Sequence, residues 1–213
     1  MRETAISIKG KAGDLEGIWS DTQTSDKNKP SVLLCHGHPA FNQDMQSPLC
    51  SAIALELATR GFVSLRFNFR GVGDSEGDRS NGESEFQDVL SAIKVLRSLP
   101  HVDKKRLFAV GHSFGAAAII KSLNQLGTVK ALAFLAPPIN AIGDPAIQSD
   151  RRPKLVLAGL EDRISPFDDV KSVTNEYNNK PTVMSIAGDH LFHNNEQEVA
   201  SLLGGFLTQE DSR

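Results

Sequence analysis

Cysteine is scarce in this chain: Cys35 and Cys50 are the two among 213 residues. Two cysteines exclude a disulfide framework, and Cys35, set in an apolar stretch, reads as a small buried hydrophobe in a reducing compartment. An excess of one charge is also missing. The 23 Lys and Arg are scattered among 26 Asp and Glu, giving a formal net charge of −3. That balance excludes the basic footprint of a nucleic-acid partner or an anionic membrane surface. No apolar run approaches the length of a membrane span, and the opening Met1-Arg2-Glu3-Thr4-Ala5-Ile6-Ser7-Ile8 lacks the apolar centre of a signal peptide. A cytoplasmic location is the default expectation. Linkers, repeats and low-complexity tracts are lacking too, so residues 1–213 are expected to form one domain with an ordinary core.

What is present alternates. Ile6-Ser7-Ile8 and residues 15–19 each alternate apolar and polar positions about a glycine-bounded turn, the pattern of a hairpin. A polar surface loop is expected over residues 20–30. Ser31-Val32-Leu33-Leu34-Cys35 is then a continuous apolar run, the mark of a strand buried on both faces. Helical spacing over 48–60, a strand over 62–67 and an amphipathic helix over 83–99, stopped before Pro100, follow in turn. Further strands are expected up to Val110 and at 129–135, 154–158 and 182–186, with helices at 114–126 and 196–207. Strands alternating with helices require an α/β fold: a mostly parallel sheet, an antiparallel N-terminal edge hairpin, and helices on both faces. Residues 136–153 hold Pro137, Pro138, Gly143 and Pro145, which break any long helix and leave little or no cap.

The strand ending at Val110 runs into Gly111-His112-Ser113-Phe114-Gly115, followed at once by an Ala-rich helical pattern. Gly-X-Ser-X-Gly between a strand and a helix puts one serine on a sharp turn, with small neighbours and the positive end of a helix dipole beneath it. A serine hydroxyl is a weak nucleophile until a base takes its proton, so a histidine and an orienting acid are required. Loops at the C-terminal ends of later strands offer both. Gly159-Leu160-Glu161-Asp162 supplies Asp162, with Glu161 and Asp144 as competitors. Gly188-Asp189-His190 supplies His190, with His193 as its competitor and Asp189 as a turn former. The expected oxyanion donors are the backbone N–H groups of Phe114 and of His38, the latter in Cys35-His36-Gly37-His38-Pro39. Phe41 and His112 are candidate pocket-lining residues. His36-Gly37-His38 also raises a metal site, but no Cys, Asp or Glu falls at a matching spacing, and no metal or other cofactor is expected. The Arg70–Gly77 loop reads as structural, with Arg70 tying neighbouring loops through an ion pair.

Taken in order, Cys35-His36-Gly37-His38-Pro39, Asn68-Phe69-Arg70-Gly71-Val72-Gly73-Asp74-Ser75-Glu76-Gly77, the Ser113 turn, the Asp162 loop and Gly188-Asp189-His190 make this chain resemble the α/β-hydrolase superfamily. Within it, the chain looks like small lidless bacterial hydrolases related to serine aminopeptidase-like and dienelactone hydrolase-like proteins. In the dienelactone branch proper the nucleophile is a cysteine, whereas this chain has Ser113. The resemblance implies a cofactor-free hydrolase using Ser113, Asp162 and His190 on small-molecule esters or thioesters, as a monomer or homodimer. A small peptidase or amidase, or an acyltransferase, would share the same triad. A binding protein that kept the fold without the chemistry is the remaining alternative.

Overall fold

The computed structural model describes residues 1–22 and 26–213. Eight strands form one sheet: β1 (Arg2–Lys9), β2 (Asp14–Asp21), β3 (Lys29–Cys35), β4 (Val63–Phe67), β5 (Val102–His112), β6 (Val129–Leu135), β7 (Lys154–Gly159) and β8 (Thr182–Ile186). Their order across the sheet is β1-β2-β4-β3-β5-β6-β7-β8. The β1–β2 hairpin pairs antiparallel with itself and with β4, and every pairing from β4 through β8 is parallel.

Period-2 alternation divides the buried strand residues between two cores. Leu33, Leu65, Ala109, Leu132, Phe134 and Val156 point to one face. That face is covered by α2 (Phe86–Leu96), α3 (Phe114–Ser122) and α6 (Phe167–Thr174), through residues such as Val89, Ile119 and Val170. Val32, Leu34, Phe108, Val110, Ala133 and Leu157 point to the other, covered by α1 (Pro48–Thr59) and α7 (Glu196–Asp211). Burial on both sides explains why β3 and β7 read as unbroken apolar runs rather than alternating ones. Among the described residues, no helix is long and apolar enough to cross a membrane.

Several boundaries differ from the sequence reading, each for a local reason. The loop expected over residues 20–30 is shorter, because β2 runs to Asp21 and β3 starts at Lys29, where Lys29 Nζ meets Asp21 at 2.6 Å. The middle of that loop, residues 23–25, lies outside the described residues. Strand β5 begins at Val102, since Val102 pairs with Lys29 at the start of β3, ahead of a register shift before Leu107. Helix α2 begins at Phe86 rather than residue 83, because the buried Glu85 carboxylate accepts N–H bonds from Ser80 and Gly82 and folds that segment into a turn. Helix α6 has no counterpart in the sequence reading: its inward face, Phe167, Val170, Val173 and Thr174, lies within eight residues, shorter than the span over which a helical period is read. Residues 136–153 form two short helical turns, α4 (Ile139–Ile142) and α5 (Pro145–Ser149), and no cap.

The loop after β4 is tied down as its composition suggested. Arg70 Nη2 donates to Asp88 Oδ1 at 2.7 Å, while Arg70 Nε and the Arg70 backbone N–H reach Asp88 Oδ2 at 3.0 and 3.1 Å. Both residues are buried, so the pair fixes this loop against α2 rather than serving chemistry.

Candidate active site

The Gly111–Gly115 turn forms as expected between β5 and α3. Ser113 sits at φ 47° and ψ −108°, a left-handed strain of about 1–3 kcal/mol for a non-glycine residue. Its surroundings impose that geometry. The Ser113 N–H donates to the Leu135 carbonyl at 2.8 Å, and the Ala117 N–H returns to the Ser113 carbonyl at 3.2 Å. The flanking glycines are required by close approach: a Cβ on Gly115 would lie 2.3 Å from the Cys35 carbonyl oxygen, and one on Gly111 2.5 Å from the Ala116 nitrogen.

Two loops converge on this serine. His190 Nε2 lies 2.8 Å from Ser113 Oγ, and His190 Nδ1 lies 2.8 Å from Asp162 Oδ2. The other Asp162 oxygen, Oδ1, accepts the N–H groups of Ile164 and Ser165, both at 2.8 Å. Burial alone would raise the Asp162 pKa. The His190 hydrogen bond and the Ser165 and Ile164 amides outweigh it and hold the carboxyl below the ordinary aspartate value, so it stands ionised as an acceptor. His190 therefore donates Nδ1–H to Asp162 and leaves Nε2 as a hydrogen-bond acceptor facing the Ser113 hydroxyl. Backbone bonds stitch the two loops together: Leu160 N–H to Ile186 O at 2.8 Å and Glu161 N–H to Gly188 O at 2.9 Å.

Glu161 is exposed, and the other competitors are engaged elsewhere. Asp144 caps α5 by accepting the Ala146 N–H, and exposed His193 pairs with Asp189 at 2.7 Å. Asp189 shapes the turn, its Oδ1 accepting the N–H groups of Leu191 and His193. The Phe114 N–H opens α3, and the His38 N–H precedes a short helical turn that the His38 imidazole caps through the Ala40 N–H. Neither amide has a hydrogen-bond partner among the described residues. The rings of His38 and Phe114 meet edge-on at 5.1 Å, which brings the two donor segments side by side. Phe41 is 48% exposed, with its ring 6.2 Å from that of His38, and does not line the cleft between His38 and Phe114.

His112 lies elsewhere than the pocket wall expected of it. It is buried, and its Nε2–H donates to the His190 carbonyl at 2.9 Å, so it holds the histidine loop from beneath. Nothing in the sequence marks the X of Gly-X-Ser-X-Gly for such a contact, so the sequence points only to a pocket-wall place for it. His36 plays a parallel part on the oxyanion side. Its Nε2 accepts the Phe69 N–H at 3.2 Å, which leaves Nδ1–H to donate to the Gly37 carbonyl at 2.7 Å. Burial lowers both imidazoles from 6.5 to about 4, so both stay neutral.

That neutrality has a consequence for stability. Between pH 6.5 and about 4 the unfolded chain binds protons at His36 and His112 that the folded chain does not. Stability present above pH 6.5 is therefore lost as pH falls toward 4, by about 3 kcal/mol for each histidine. Urea unfolding at pH 7.5 and pH 4.5 should show this drop, and His112→Gln should make it smaller. An equal drop in the variant would contradict the assignment to His112.

Comparison with known proteins agrees with this architecture. A solved alpha-beta serine hydrolase homologue from Coxiella burnetii is 27% identical, with a TM-score of 0.84 over 97% of this chain and 98% of that one. A serine hydrolase without a lid from Xanthomonas campestris, 24% identical, shares the fold with a TM-score of 0.80 over 99% of this chain and 94% of that one. Esterase FrsA of Salmonella paratyphi B is 32% identical over 172 residues, which are 79% of this chain but 39% of the esterase. The profile of the alpha/beta hydrolase family matches residues 32–206, from β3 to the middle of α7, and this chain belongs to that family.

Proposed function

We propose that this protein is a serine hydrolase of small carboxylic esters and thioesters, acting as one domain in the cytoplasm without a cofactor. The observation that carries the reading is the unbroken relay from Ser113 Oγ through His190 to Asp162, with both contacts at 2.8 Å. His190 Nε2 removes the hydroxyl proton as Ser113 Oγ attacks the acyl carbonyl. The Phe114 and His38 amides receive the developing oxyanion, each worth on the order of 3–4 kcal/mol in such a role. His190 then passes its proton to the leaving alcohol or thiol, and the ester bond breaks. A water deprotonated by His190 releases the acid and restores Ser113, while ionised Asp162 stabilises the imidazolium in both halves.

Substrate size follows from the surroundings. The segment after β6 forms two short helical turns rather than a lid. The chain of a long acyl group would lie in solvent, so p-nitrophenyl esters should be turned over best from acetate to butyrate. Kinetics across acyl lengths, with aminoacyl anilides as a parallel arm, test this. A rate that rises steadily to dodecanoate, or a preference for the anilides, would contradict it.

A further inference from the structure

Acyl transfer at Ser113 needs two backbone segments aimed correctly: the one that presents the His190 imidazole, and the peptide that carries the His38 N–H. One side chain meets both, that of His112, the residue before the nucleophile. Its Nε2–H donates to the His190 carbonyl at 2.9 Å. Its ring lies 5.7 Å from the His190 ring and 6.1 Å from that of the fully buried Phe192. The other nitrogen bears on the oxyanion loop, where a Cβ on Gly37 would lie 2.7 Å from His112 Nδ1 and 3.0 Å from Cε1.

Gly37 supplies half of the donor peptide. In a trans peptide the Gly37 C=O and the His38 N–H point in opposite directions, so fixing one aims the other. His36 Nδ1–H holds that carbonyl at 2.7 Å. The His112 ring, with one nitrogen bonded to the His190 carbonyl and the other against Gly37, sets the distance between the two backbones. Its Nδ1 has no hydrogen-bond partner among the described residues. A bare buried acceptor disfavours folding, so packing alone would favour an apolar residue here, and the bond from Nε2 gives the histidine its use.

We infer that His112 is a positioning residue, holding the base and the His38 donor at one spacing about Ser113. The inference deepens the hydrolase reading above and rests on it. His112→Met fills the space without a donor. It should lower kcat for p-nitrophenyl acetate by about 10- to 100-fold with KM within about twofold, the loss expected when reacting groups are misplaced by up to about an ångström. His112→Gln places an amide N–H where Nε2 stood and should recover most of that loss. Leu207→Ala, a buried change near the Arg106–Asp211 pair at the opposite end of β5 from Ser113, should lower Tm and leave kcat as it was. Gly37→Ala should lower kcat by pushing on the ring. Combined with His112→Ser, which makes room for the new methyl, it should cost less than the product of the two single losses. Wild-type kcat in His112→Met, a Gln variant no better than Met, or strictly multiplicative losses at positions 37 and 112 would overturn the inference.

NMR of the imidazole nitrogens keeps this result separate from the hydrolase reading, because it needs no turnover. Near neutral pH the wild-type His112 should carry its proton on Nε2 with Nδ1 bare. The His190 Nδ1 proton bonded to Asp162 should exchange slowly enough to be seen. In His112→Met that proton should broaden away, and in His112→Gln it should return. These signatures in a protein that turns over no ester would sink the hydrolase reading and sustain the positioning role. Ester turnover with a His190 proton indifferent to position 112, or with His112 protonated at Nδ1, would do the reverse.

Discussion

Replacing Ser113 by Ala should lower kcat/KM for p-nitrophenyl acetate by about 10⁴- to 10⁶-fold, since the triad acts as a unit and its losses are not additive. The variant keeps the free Phe114 and His38 amides and the His190–Asp162 pair, so a small residual rate above the uncatalysed one is expected. Folding should survive. The strained backbone at φ 47° is imposed by the Leu135 carbonyl bond and by close packing of the flanking glycines, none of which involves the hydroxyl. Removing the side chain takes away one polar contact, to His190, and leaves its imidazole seated on Asp162 and His112. Steady-state kinetics paired with thermal unfolding check both halves. Retention of more than about one hundredth of the activity in a folded variant would contradict the role given to Ser113.

Asp162→Asn should lower kcat by about 10⁴-fold with little change in fold, and the local geometry explains why so conservative a change is so damaging. Oδ1 of Asp162 accepts two backbone N–H groups, from Ile164 and Ser165. In the asparagine variant the carbonyl oxygen must occupy that position, which turns the NH₂ toward His190. Nδ1 of His190 then becomes an acceptor, and the proton moves to Nε2, where it faces the Ser113 hydroxyl and can no longer take its proton. Asp162→Glu keeps the charge, but its added methylene moves the carboxylate off the two amides. It should fall between wild type and Asn. Parallel kinetics on the three proteins check the order, and an Asn variant as active as the Glu variant would contradict the tautomer argument.

The parts of this molecule legible in its sequence are those set by short-range pattern. Strands buried on both faces announce themselves as apolar runs, and Ser113 and Asp162 each follow such a run closely, while His190 follows the partly exposed edge strand β8. Chain order and strand ends sufficed to bring them to one point. The features that escaped depend on contacts between distant segments. His112 differs from its expected place because its partner is a carbonyl 78 residues away. Helix α6 is only eight residues long, too short for its one apolar face to stand out as a period. The start of β5 is cut off from its apolar run by the polar residues 103–106, yet Val102 pairs with Lys29 of β3.

The central claim, that Ser113 is a nucleophile activated by His190, is tested most directly by covalent capture. Intact protein incubated with a fluorophosphonate at pH 7.5 should gain one phosphonyl group. Peptide mass spectrometry should locate it on Ser113, and His190→Gln should slow the labelling by at least about a hundredfold. An unlabelled protein, a label on another residue, or a labelling rate indifferent to His190 would contradict it.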